Sequence, residues 1–128
     1  DLSYMDTLTS QLSNLALAIM DDSLTLKSKY ILASTSSQHY GDPDFIDLYD
    51  FCSKVLYYSN NFEVKAIALI IQQTLNNAVI KSGYSGGSVS GSKGLSIYFP
   101  YIAYHYYYNY TNFSQDTLWD EMLSYLGY

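Results

Sequence analysis

The chain's organisation turns on residues 94–100, Gly94-Leu95-Ser96-Ile97-Tyr98-Phe99-Pro100, which follow a stretch rich in glycine and serine. From Leu95 to Phe99 large apolar residues alternate with Ser96 and Tyr98, a period of two that directs Leu95, Ile97 and Phe99 to one face of a sheet. Pro100 ends the run, because proline has no N–H for a ladder. One strand cannot satisfy its own backbone or bury its own apolar face, so it requires neighbours. No second run of comparable quality is legible, and the expectation is that the partner strands lie largely outside these residues.

Helical periodicity accounts for most of the rest. Met5, Leu8, Leu12, Leu15, Ala16 and Ile19 recur at spacings of three and four, predicting an amphipathic helix over about 4–20 behind a weak cap at Ser3. Asp21-Asp22-Ser23 is a polar break, and Ser23 is placed to cap a second helix over about 24–34 carrying Leu24, Lys27, Tyr30, Ile31 and Ser34. Gly41 and Pro43 punctuate a loop. Asp44, with Asp47 three residues on, reads as the N-cap of a third helix over about 45–58 that carries Ile46, Tyr49, Phe51, Cys52 and Val55. Ser59-Asn60-Asn61 breaks it. The longest helix follows, over about 62–81, with Val64, Ile67, Ala68, Ile71, Leu75, Ala78 and Val79 on one face and Ala66, Leu69 and Ile70 widening it. A helix apolar around so much of its circumference is expected at the centre of a bundle. Lys81 and Gly83 suit its end, and residues 82–93 read as a flexible connector. The aromatic-rich segment from Tyr101 to Asn112 has no legible periodicity. A last helix over about 115–126 starts at Ser114 or Asp116 and carries Leu118, Trp119, Met122, Leu123 and Leu126. The class is α+β, a mainly helical unit with one strand.

Charge excludes one class of partner. Six lysines, no arginine and twelve acids give a net charge of −6, and nucleic-acid binding needs clustered cations to displace counterions from phosphates. No run approaches the ~18 apolar residues of a membrane span. Sixteen tyrosines are read as amphipathic filler between core and solvent, with a stacking surface for glycan or protein as the alternative. Two sequons, at Asn109 and Asn112, would suit a secreted protein. The absence of a leading Met suggests a piece of a longer polypeptide.

The candidate chemistry is sparse. Lys93 in the Gly/Ser stretch does not make a phosphate loop, which needs Gly-Lys-Ser/Thr leading into a helix rather than Gly94 and a strand. Asp42, Asp44, Asp47 and Asp50 form an acidic cluster, but Leu48 stands where an EF-hand needs glycine and no glutamate closes the loop, so helix capping is preferred to calcium. Cys52 lies between Phe51 and Val55 on a helix face expected to be buried. A dyad with His39 is therefore set below the reading of a small core cysteine, and His105 is placed at the boundary. No catalytic, cofactor-binding or metal-ligating residue is assigned.

Gly94-Leu95-Ser96-Ile97-Tyr98-Phe99-Pro100 resembles a signature near the C-terminus of the clostripain family, cysteine peptidases with a caspase-like fold. Asp1-Leu2-Ser3, Asp47-Leu48-Tyr49-Asp50-Phe51 and Trp119-Asp120-Glu121-Met122-Leu123 resemble further family segments in the same order. The resemblance implies a C-terminal scaffold whose strand completes the sheet of a caspase-like α/β parent. It also implies that the catalytic His and Cys lie upstream in the same polypeptide, that the parent cuts peptides after basic residues, and that its setting is extracellular or at the cell surface. Clostripain itself is calcium-dependent, which makes the acidic cluster worth locating.

Overall fold

The computed structural model describes residues 2–82, 95–100 and 117–128, with the side chains of 2, 3 and 78–82 left aside. Among these residues the order is α1 (Leu2–Asp21), α2 (Lys27–Thr35), β1 (Phe45–Asp47), α3 (Leu48–Tyr58), α4 (Phe62–Ser82), β2 (Ser96–Tyr98) and α5 (Trp119–Leu126). The architecture is α+β: five helices and a two-stranded antiparallel sheet. The segments 83–94 and 101–116 lie outside the described residues, and with them the Gly/Ser connector, Gly83, Lys93, His105, both sequons and the predicted caps at Ser114 and Asp116.

The strand finds its partner inside the chain, which corrects the expectation that its neighbours lie elsewhere. β1 pairs with β2 in the register Phe45↔Tyr98, Ile46↔Ile97 and Asp47↔Ser96. The ladder extends at both ends, where Phe99 N–H donates to the Asp44 carbonyl over 2.8 Å and Leu48 N–H donates to the Leu95 carbonyl over 3.0 Å. On its other side β1 meets the chain at 38–40. There Asp47 N–H donates to Gln38 O (2.8 Å), Tyr40 N–H donates to Phe45 O (3.0 Å), and His39 bridges Ile46. The helix predicted from residue 45 therefore begins only at Leu48. Acids three apart occur twice, as Asp44/Asp47 and Asp47/Asp50, and local spacing does not separate them. Pairing with β2 holds Phe45–Asp47 extended and leaves the cap to Asp47.

The alternation within β2 is also modified. Ile97 and Phe99 are buried as the period requires, but Tyr98 is buried too, its ring edge-on to Phe45 with centroids 5.6 Å apart. Only Ser96 faces solvent in this strand. A strand covered on both faces loses its two-residue pattern.

The core lies between α1 and α4 and beneath α3 and α5. Leu8, Leu12, Leu15, Ala16 and Ile19 of α1 are buried together with Val64, Ala68, Ile71 and Leu75 of α4, Phe51, Cys52 and Val55 of α3, and Trp119, Met122, Leu123 and Leu126 of α5. These are the stripes that the three-and-four spacing marks out. Met5, at the start of the α1 stripe, is exposed. Leu69 and Ile70 are 48% and 46% exposed, so α4 is open along one face instead of enclosed at the centre. Gln72 ties α4 to α3, its amide donating to Ser53 Oγ (2.8 Å) and to the Tyr49 carbonyl (3.2 Å).

The second helix starts later than its spacing suggests. Asp22 Oδ1 accepts from Leu24 N–H over 2.8 Å, which turns the chain and leaves Leu24 outside the helix. Leu26 then precedes Lys27 without a side-chain cap, and Ser23 caps nothing. The serines that argue against helix at 34–37 instead finish it: Ser34, Ser36 and Ser37 hydroxyls donate to the carbonyls of Ile31, Leu32 and Ala33 at 2.8, 2.7 and 2.6 Å. Carbonyls without partners in the last turn are satisfied this way. At the end of α5, Gly127 takes φ 104°, a left-handed turn for which glycine carries no Cβ penalty.

Candidate functional site

Three of the four segments quoted above meet in one place. Phe51 from α3, Phe99 after β2 and Trp119 from α5 are all buried, with ring centroids 4.8 Å (Phe51–Phe99), 5.5 Å (Phe99–Trp119) and 6.1 Å (Phe51–Trp119) apart. The two contacts to Trp119 are edge-on, the arrangement that ring quadrupoles favour. Trp119 Nε1 donates to the Tyr98 carbonyl over 2.9 Å. In the ladder Leu95, Ile97 and Phe99 turn their main-chain groups toward β1, so the Tyr98 carbonyl points to the outer edge of β2. Trp119 thus covers part of that edge. The first turn of α5 is tied to α1 as well, since Leu118 N–H donates to Ser13 Oγ over 3.3 Å. Asp1 and the Ser3 side chain, in the fourth segment, lie outside the described atoms.

The acidic cluster is placed around the start of α3 and does four separate jobs. Asp47, fully buried, caps the helix by accepting from Asp50 N–H at Oδ2 (2.8 Å) and accepts from the Tyr40 hydroxyl at Oδ1 (3.1 Å). Asp50 accepts from Gln38 N–H (2.8 Å) at one oxygen and pairs with Lys54 (3.0 Å) at the other. Asp42 closes its own turn, accepting from Asp44 N–H over 3.0 Å. Asp44 supplies its carbonyl to β2 and is not the cap that its position suggests. Among the described residues no three His, Cys, Asp or Glu side chains are grouped to hold a metal ion.

Cys52 sits one residue from Phe51 in the same core, its thiol fully buried. Burial first, and then the Asp47 carboxylate, push the thiol far above its ordinary range. A nucleophilic cysteine needs the opposite environment, an exposed and electropositive one that favours thiolate. His39 lies on the chain flanking β1. In the first turn of α5, Asp120 hydrogen-bonds Glu121 and, with burial, raises the Glu121 carboxyl.

A second polar centre escapes sequence reasoning altogether. Asp22 and Tyr30 are buried at 5% and 1% exposure, and the Tyr30 hydroxyl donates to Asp22 Oδ2 while lying 2.9 Å from Ser59 Oγ. The Asn61 amide donates to Asp22 Oδ1 (3.1 Å), and Asn60 N–H donates to Thr25 Oγ1 (2.9 Å). Asn61 also caps α4, accepting from Glu63 and Val64 N–H at 2.9 and 3.2 Å. Burial would raise the Asp22 carboxyl, but hydrogen bonds from Tyr30, Thr25, Leu24 N–H and Asn61 outweigh it and hold the group below its ordinary range. Tyr30 is pushed up to about 12 by burial and then by Asp22. The node joins the ends of α1 and α3 to the starts of α2 and α4. Its one legible trace is Asn61 directly before the periodic run of α4, an N-cap signal.

Of the described tyrosines only Tyr57 is exposed; Tyr30 and Tyr98 are buried and the others half-buried. No described helix is long and apolar enough to cross a membrane. The chain matches no family model, no curated protein and no solved structure.

Proposed function

We propose that the chain is the C-terminal, non-catalytic scaffold region of a clostripain-like cysteine endopeptidase, with a caspase-like α/β parent that cuts after basic residues. The observation that carries the reading is the convergence of the resembling segments. Residues around Phe51, Phe99 and Trp119, far apart in sequence, share one aromatic core and one hydrogen bond to β2. Residues whose role is to seat a strand against helices are what a buttress for a catalytic sheet requires. The partner on this reading is the upstream part of the same polypeptide, and the peptide substrate belongs to the parent.

The environment of Cys52 fits the same assignment. Peptide hydrolysis by a thiolate needs nucleophile, base and oxyanion donors held together, and positioning alone is worth about 7–11 kcal/mol of barrier. A buried thiol beside a carboxylate supplies none of this. The test compares this chain, the chain joined to its upstream segment, and Cys52→Ala in both, on fluorogenic peptides with Lys or Arg before the scissile bond. Cleavage is expected only with the upstream segment and is expected to survive Cys52→Ala. Cleavage by the chain alone that Cys52→Ala abolishes, or an upstream segment without a matching His and Cys, overturns the proposal.

A further inference from the structure

The largest exposed apolar side chains of the described residues gather at one end of the helices. Leu24 and Leu26 (65% and 71% exposed) flank Thr25, and Tyr57 and Phe62 (80% and 85%) flank the turn at 59–61. Thr25 Oγ1 accepts from Asn60 N–H, and Asp22 accepts from both Leu24 N–H and the Asn61 amide, so the two turns are bonded to each other. The four side chains therefore stand on a shared rigid base, the buried Asp22–Tyr30–Ser59 node. Exposures this high mean that each projects clear of its surroundings. Flexible loops often carry stray apolar residues, but here the backbone beneath them is fixed by hydrogen bonds.

The charge at this end differs from that of the whole. Lys27 and Lys29 in the first turn of α2 and Lys65 in that of α4 are three of the chain's six lysines. Lys27 Nζ lies 4.0 Å from the Tyr125 ring centroid and Lys29 Nζ lies 5.9 Å from that of Tyr58, contacts that direct them without removing their charge. Around the projecting side chains these cations outnumber the exposed acids Asp21 and Glu63, on a chain whose net charge is −6. Asp22 is buried and its charge is met by hydrogen bonds.

We infer that this end docks peripherally on an anionic phospholipid surface, with Leu24, Leu26, Tyr57 and Phe62 entering the headgroup–acyl boundary and Lys27, Lys29 and Lys65 facing lipid phosphates. A fluid interface closes around separate projecting side chains, whereas a protein partner must carry a matching pocket for each. Affinity for such a surface grows with the apolar area inserted and with attraction between cations and anionic lipids. The inference is independent of the peptidase reading, since neither the aromatic core nor the parent's chemistry enters it.

The test is co-sedimentation of the full chain with vesicles of phosphatidylcholine alone and of phosphatidylcholine mixed with phosphatidylserine. Binding is expected to the mixed vesicles, to weaken with added salt, and to persist in excess inorganic phosphate. Leu26→Ser with Phe62→Ser should lower the partition coefficient by about tenfold or more, with Tyr57→Ser as an independent second variant. Lys29→Glu with Lys65→Glu should remove the preference for phosphatidylserine. Because all these positions are exposed, an unchanged circular dichroism spectrum is expected in each. No binding by the parent chain, or equal binding by the serine variants, overturns the inference. So does a chain that self-associates in sedimentation velocity, ignores vesicles and becomes monomeric on Phe62→Ser, which would make a second copy the occupant.

Discussion

Trp119 Nε1 donates a hydrogen bond to the main-chain carbonyl of Tyr98 over 2.9 Å, joining the last helix to the outer edge of the strand that precedes it by twenty-one residues. The indole does two things at once. Its ring packs edge-on against Phe51 and Phe99, and its N–H satisfies a carbonyl that no strand of the described sheet reaches. The consequence is that the sheet and α5 stand or fall together.

That coupling sets an order among substitutions at the strand. Phe99→Ala empties the centre of the aromatic cluster and should cost roughly 3–5 kcal/mol. Tyr98→Ala should cost a comparable amount, because its ring is buried against Phe45 on the other face. Trp119→Phe keeps most of the packing but removes the donor, for about 1–3 kcal/mol. Ser96→Ala, at an exposed position, should stay within about 0.5 kcal/mol. Urea melts of the four variants measure the order; a small loss at Tyr98 would mean that its face is open to solvent.

The start of α3 gives a second ordering. Asp47→Ala removes a cap and a buried acceptor for the Tyr40 hydroxyl, and should cost ~1–2 kcal/mol. Asp44→Ala leaves the carbonyl that serves β2 in place and should cost much less. Calcium should leave the melting temperature of either variant and of the parent chain unchanged, since ligand binding to the folded state alone would raise it. A calcium-dependent rise lost in Asp47→Ala would assign the carboxylates to a metal.

The helices were legible because their buried faces recur at three and four residues, and the tools for reading that are strong: Leu8, Leu12, Leu15 and Ile19 mark α1 before any contact is known. β1 was not legible. Three residues are too short for a period, and the Asp44/Asp47 spacing imitates a helix start until β2 is brought alongside. The aromatic cluster was visible only as separate motifs, because nothing local to Phe51 or Trp119 records their meeting. The Asp22–Tyr30–Ser59–Asn61 node was hidden for the same reason. Its members look like ordinary break residues, and only tertiary packing converts them into a buried network.

That node predicts how stability depends on pH. The Asp22 carboxyl titrates below its ordinary 3.8 in the folded chain, so its contribution is present above that value and is lost as pH falls through it toward the lower folded pKa. Tyr30 acts in the opposite direction. Its hydroxyl, raised from 10.0 to about 12, favours the folded state below pH 10, and that contribution disappears as pH climbs from 10 through 12. Stability from this pair should therefore form a plateau at neutral pH that falls on both sides. Asp22→Asn loses charge-assisted hydrogen bonds and should cost about 1–3 kcal/mol at pH 7 while flattening the acid side. Tyr30→Phe should flatten the alkaline side and leave the Asn61 contact to Asp22 intact. Urea unfolding midpoints measured from pH 2 to pH 12 for the parent chain and both variants test the signs separately. An acid limb unchanged in Asp22→Asn would show that Asp22 protonates alike in the folded and unfolded chains, and the network would then hold the four helix ends together without its charge.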